Sequence, residues 1–129
     1  DGQTSRTILQ KAQSLSGPQL GRVMNIVSRL GSRPQRLLAS AEPSPGEIRK
    51  LILALGMARE PHIIIMDEPT NHLDLPSIQC LEQALADCPC AMMLVSHDLY
   101  FLRQLTFSAW HLTSTRTKEE YVLKTSHLS

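Results

Sequence analysis

In HIIIMDEPTNHLD, residues 62–74, an apolar run delivers two adjacent carboxylates, Asp67 and Glu68. A carboxylate at the carboxyl end of a parallel strand sits where such sheets bind ligands. Asp67 suits Mg²⁺, held directly or through water, because Mg²⁺ keeps several waters and takes few protein ligands. Glu68 suits the orientation of an attacking water and the acceptance of its proton. Two acids at a strand end with no chemical role are the plain alternative. The apolar residues before the pair and PTNHLD after it argue against that alternative.

Two further stretches carry chemistry. In SPGE (44–47), Ser44 stands as helix N-cap, Pro45 at the first helical position and Glu47 at the third, which spells a capping box. The cap alone explains these residues structurally. The same geometry, a Ser hydroxyl and a Gly amide at a helix N-terminus, also binds phosphate. His97 follows MLVS and stands at the end of a second apolar run, within reach of a phosphate from the side opposite that cap.

The elements that must position these residues follow from periodicity. Ile8, Leu9, Ala12 and Leu15 share one helical face, and SGP (16–18) stops that helix. Leu20, Val23, Met24, Val27 and Leu30 repeat at helical spacing up to Gly31. Residues 31–43 read as a connection with about one turn of helix. Leu51 to Ala58 is wholly apolar or Gly, the pattern of a helix buried on more than one side. HIIIM (62–66) and AMMLV (91–95) read as buried strands of a parallel sheet. SIQCLEQALAD (77–87) is helical, and DLYFLRQL (98–105) is a short helix capped by Asp98. FSAWHL (107–112) and EYVLKT (120–125) read as strands joined by a polar turn. The first half is thus helical and the second alternates strand with helix, an α/β pattern.

Bulk properties narrow the partners. The chain has 129 residues, of which 42% are hydrophobic, enough for a modest core. Neither a run of roughly 20 apolar residues nor a hydrophobic leader is present, so a soluble, cytoplasmic protein without membrane insertion is expected. Residues 1–59 hold nine Lys/Arg and three Asp/Glu, a net +6; residues 60–129 hold four and nine, a net −5. The basic half suits a polyanion such as RNA, and equally a solvated surface with helix-end charges. Cys80, Cys88 and Cys90 make an odd number without framework spacing, so reduced thiols near a core are expected, with CPC the only hint of a metal pair.

Taken in order, SPGEIRK, HIIIMDEP, NHLD (71–74) and Ser96-His97-Asp98 resemble the signature, Walker B, D-loop and H-switch motifs of an ABC-type ATPase. Ser44 lies 23 residues before Asp67, a spacing that suits the family. The TNHLD form is most similar to the ABC-F subfamily of tandem-domain ATPases. The resemblance covers residues 42–112. LSGPQ (15–19) spells the signature more faithfully, but Ser16 lies 51 residues before Asp67, and Gly17-Pro18 reads as the end of a helix rather than a start. Pro45 departs from the family's Gly and has no N–H to donate.

The resemblance implies a partial P-loop NTPase domain, with residues 1–59 as helical subdomain ending in the signature helix and 60–129 as part of the α/β core. It implies ATP and Mg²⁺ as ligands and a second ABC domain as head-to-tail partner. Ser44, Gly46 and Glu47 would meet ATP held by that partner. Asp67 as metal ligand, with Glu68 and His97 as catalytic residues, would act on the chain's own ATP. Asn71, Leu73 and Asp74 would couple the two sites. Three functions follow: a ribosome-binding, translation-linked ATPase; the ATPase subunit of a membrane transporter; or a non-catalytic interaction module.

No GxxxxGK[ST] phosphate loop occurs in the sequence, nor do the Gln-bearing loop and the adenine-gripping antiparallel sheet of the family. A truncated domain that starts inside its helical subdomain, with the phosphate loop upstream in the parent, accounts for all three, and a chain without the cradle should be inactive alone. Titration calorimetry of the 129 residues should therefore show no Mg-ATP binding; micromolar affinity would contradict the truncation.

Overall fold

The computed structural model describes residues 2–114 and 121–128. Their elements run α1 (Gly2–Gln13), α2 (Gly17–Arg29), α3 (Pro34–Ala39), α4 (Pro45–Met57), β1 (Ile63–Asp67), α5 (Leu75–Ala86), β2 (Ala91–Val95), α6 (Leu99–Leu105), β3 (Ser108–Ser114) and β4 (Tyr121–His127). The helical first half and the strand–helix alternation of the second match the pattern of the sequence.

Helix α1 ends where expected, but Gly17-Pro18 opens the next helix instead of merely closing the last. Ser16 occupies the N-cap position of α2, with Pro in its first turn. Proline costs nothing there, because the first amides of a helix have no intrahelical partner. One of the two reasons for setting LSGPQ aside is therefore wrong; the 51-residue spacing remains. The Ser16 hydroxyl donates to Gln19 Oε1 at 3.0 Å and caps no backbone amide. Beyond α2, Gly31 adopts a left-handed φ of 77°. A Cβ at Gly31 would stand 3.2 Å from Cys80 Sγ, so glycine serves both the turn and the close approach of α5.

The core runs through both halves of the chain. Val23, Val27 and Leu30 of the α2 segment, Leu51 and Ala54 of α4, Leu81 and Leu85 of α5 and Phe101 of α6 are almost wholly buried. Arg29 closes α2 onto α5 through a 2.6 Å bond to Asp87. Helix α4 packs on α1 and α2, but Ile52 is half exposed. The expected burial of this helix on more than one side is thus incomplete. The side bearing Ile52 opens on a cleft of about 410 Å³, shared with Met66, Asp67 and Pro69.

Strands β1 and β2 pair in parallel, Ile63 opposite Ala91 through Asp67 opposite Val95, with α5 as their crossover. Ile64, Met66, Met92 and Leu94 turn to the core. The opposite face is bare: Ile65 is 67% exposed and Val95 55%. The two strands are therefore half-buried, not buried as their composition predicts. Continuous apolar runs belong to strands covered on both faces, and among the described residues only one face is covered. The accessible surface of 9127 Å² exceeds the roughly 6,800 Å² of a compact monomer of this mass. Strands β3 and β4 pair antiparallel in a separate hairpin; the polar turn expected between them lies outside the described residues.

Asp74 caps α5 by accepting from the Ser77 amide at 3.1 Å. Hydrogen bonds from Ser77 hold its carboxyl below the ordinary value of 3.8. A depressed pKa in the folded state contributes stability above the unfolded pKa, and that stability disappears as pH falls through the folded one. A carboxyl-carbon NMR titration should accordingly place the Asp74 midpoint below 3.8; a midpoint at or above it would contradict the cap. Leu51→Ala, which empties a fully buried site, should cost about 3 kcal/mol in urea unfolding.

Candidate functional site

The acid pair sits where β1 leaves the sheet. Asp67 is the last residue of β1, paired across from Val95. Its carboxylate has no hydrogen-bond or ion-pair partner among the described residues and is exposed. A hard oxygen donor free at a strand end fits Mg²⁺, which takes one or two carboxylates. Glu68 then breaks the strand with a left-handed φ of 46°. Its amide still donates to the Val95 carbonyl at 2.8 Å, so the turn begins without loss of the sheet's hydrogen bonding. Pro69, fully buried, follows.

His97 stands beyond the end of β2 with its side chain wholly exposed. Its Nε2 lies 3.5 Å from Glu68 Oε1. Parallel pairing of β1 with β2 produces this proximity, because it puts both carboxyl ends on one edge. Ser96 accepts from the Asp98 amide at 3.0 Å, and Asp98 in turn caps α6 by accepting from Phe101. His97 is thus held between a strand end and a capped helix start.

The SPGE residues form the expected capping box. Ser44 Oγ accepts from the Glu47 amide at 3.2 Å, and Glu47 Oε2 accepts from the Ser44 amide at 2.8 Å. The Ser44 oxygen is engaged only as acceptor, so its O–H remains free to donate to a ligand. Pro45 contributes no amide, and Glu47 has spent its own on Ser44. The Gly46 amide is then the remaining donor of the first turn.

Gly46 has a steric role as well. A Cβ there would stand 3.2 Å from the His72 carbonyl oxygen and 3.8 Å from Leu73 Cδ2. The signature-like turn and the NHLD segment are therefore in contact within one chain. His72 is itself left-handed, with φ 64°. Leu73 and Asn71 complete tight turns, their amides donating to Thr70 and Glu68 at 3.2 Å. Asp74 is engaged in capping α5, so structure alone explains it. Among the described residues, no hydrogen bond or ion pair joins Ser44 or Glu47 to Asp67, Glu68 or His97.

Arg49 is the residue that sequence reasoning missed. It stood inside SPGEIRK and among the nine cations of the basic half, with no role of its own. Its guanidinium is half-buried and donates to three carbonyls: Asn71 at 3.1 Å, Asp67 at 3.2 Å and Glu68. These partners lie 18 to 22 residues away, and no local pattern signals such a contact.

Cys80, Cys88 and Cys90 are free thiols, as expected. Burial pushes Cys88 up to about 11, helped by Cys90, whose sulfur lies 3.2 Å away. Among the described residues no group of three or more His, Cys, Asp or Glu gathers around a metal position, and no helix is long and apolar enough to cross a membrane.

No protein-family model matches the chain. Curated relatives do. The ATP-binding protein Uup of Caulobacter vibrioides is 49% identical over 63 residues, 49% of this chain and 10% of that protein. The ribosome protection protein VmlR of Bacillus subtilis is 40% identical over 89 residues, 68% of this chain and 16% of that protein. The chain thus spans only about a tenth to a sixth of the length of these relatives. Among solved structures, an ATP binding subunit of an ABC transporter superposes with a TM-score of 0.64 at 24% identity, over 81% of this chain and 46% of that one. That likeness shows the fold: a helical segment followed by part of a parallel-sheet P-loop NTPase core. The fold is thus that of part of an ABC-type ATPase domain, and the ATP-binding proteins that the chain resembles in sequence are of the ABC-F subfamily.

Proposed function

We propose that the protein carrying this chain is a cytoplasmic, translation-linked ATPase, and that these residues supply half of each of two nucleotide sites. The observation that carries the reading is the Glu68–His97 pair at the carboxyl edge of two parallel strands. Glu68 accepts a proton from the water that attacks the terminal phosphate. His97, exposed beside it, donates to that phosphate and keeps the carboxylate aimed. Asp67 holds Mg²⁺, which when bound offsets the charge of the phosphates.

Ser44 and Gly46 contact a second nucleotide, presented by a second ABC domain packed head to tail, with Glu47 holding the turn. Residues 1–59 act as the signature-bearing helical part and 60–129 as part of the catalytic core. Asn71, Leu73 and Asp74 couple the two sites, an assignment supported by the close approach of the 72–73 segment to Gly46, where a Cβ would stand 3.8 Å from Leu73 Cδ2. The phosphate loop, absent from these 129 residues, comes from elsewhere in the full-length protein. Sequence likeness to a ribosome protection protein, together with the basic helical half, favours the ribosome as partner.

In the full-length protein, Glu68→Gln should lower ATP turnover about a hundredfold or more while leaving ATP bound. Turnover within about threefold of wild type, roughly 0.7 kcal/mol of barrier, would remove Glu68 as base. The same variant should pellet with ribosomes in ATP and stay in the supernatant without it. ATP binding with no pelleting would instead direct the search to a membrane transporter.

A further inference from the structure

The left-handed backbone of Glu68 places a constraint on any role for its carboxylate. A residue with a Cβ disfavours this conformation, so both peptide groups around Glu68 need an anchor. The amide before it is anchored by β2, through Val95. The carbonyl after it points to α4, where Arg49 donates to it. Without that second anchor the Cα–C side of Glu68 is free to turn about N–Cα, φ relaxes from 46°, and the Cα–Cβ vector that aims the carboxylate at His97 turns with it.

Arg49 does more than satisfy one carbonyl. Its planar fork also binds the carbonyls of Asp67 and Asn71. Three oxygens from the five-residue stretch 67–71 converge on one delocalised cation, and no single point charge matches that arrangement. The same helix approaches the loop a second time at Gly46, where a Cβ would stand 3.2 Å from the His72 carbonyl oxygen. Arg49 and the Ser44 cap lie five residues apart on α4, so they move as parts of one rigid element.

Resting on the reading of Glu68 as base, we propose that Arg49 is a positioning residue for ATP hydrolysis. It holds the 67–71 loop in the conformation that aims Glu68, and it ties that aim to the helix whose N-terminus meets the second nucleotide. It touches neither nucleotide nor reacting atom and acts through Glu68.

The test is a comparison of Arg49→Ala, Arg49→Lys, Glu68→Gln and the Arg49→Ala/Glu68→Gln double variant in the full-length protein. Steady-state kinetics separate kcat from KM, single-turnover hydrolysis of labelled ATP reads slow rates, and thermal melts report folding. Arg49→Ala should lower kcat about tenfold or more, with KM for ATP within about twofold. Arg49→Lys should fall between the two, because an ammonium satisfies fewer of the three carbonyls. The double variant should hydrolyse within about twofold of Glu68→Gln alone, since residues acting as one unit do not have multiplicative effects. A wild-type kcat in Arg49→Ala, or in Arg49→Lys where the alanine variant does not fold, overturns the proposal. Losses that multiply in the double variant also overturn it, as does a change in KM with kcat unaltered. Full turnover in Glu68→Gln is a different failure: it removes the base itself.

Discussion

Three backbone carbonyls aimed at one guanidinium hold the carboxyl edge of the β1–β2 sheet in shape. The loop after β1 contains two left-handed residues, Glu68 and His72, neither of which is glycine. Such a loop does not persist on local preference; surrounding structure must determine it. The sheet anchors its start through Val95, Arg49 anchors its middle from α4, and Gly46 supports its far side. The final residue, Asp74, is drawn into the cap of α5. The anchors come from β2, α4 and α5, so the loop's geometry depends on the packing of α4 against α1 and α2 and on the pairing of β1 with β2.

That dependence runs through the core. Buried residues from α2, α4, α5 and α6 form one apolar cluster, and Arg29 pins α2 to α5. The helical segment is therefore packed on the strand-bearing one, and α4 is placed to reach the loop. The other face of the sheet carries Ile63, Ile65, Met93 and Val95 in the open. Apolar side chains at every position of β1 before Asp67 and throughout β2 are the composition of a sheet enclosed by two layers, of which the described residues supply one.

Much of the site was legible because its signals are local. A capping box needs only four residues, and Ser44 and Glu47 form it as spelled. Apolar runs followed by acids or His mark strand ends, and parallel pairing then brought His97 to Glu68. LSGPQ shows the limit of the same method. Gly-Pro reads as a break, yet proline is equally at home in a first helical turn, and only the fold distinguishes an end from a beginning. The exposed faces of β1 and β2 and of Ile52 were illegible for another reason. Composition reports what a residue favours, not which elements are present to cover it.

From sequence alone came the order of elements, the identity of the motif residues, the caps and the ABC-type resemblance, all properties of short windows or fixed spacings. Tertiary structure alone decided the engagement of Arg49 with the loop, the contact of Gly46 with His72 and the bareness of one sheet face. Those depend on which distant segments meet. A cation's partners some 20 residues away are set by helix and sheet packing, and no period or propensity along the chain encodes that meeting.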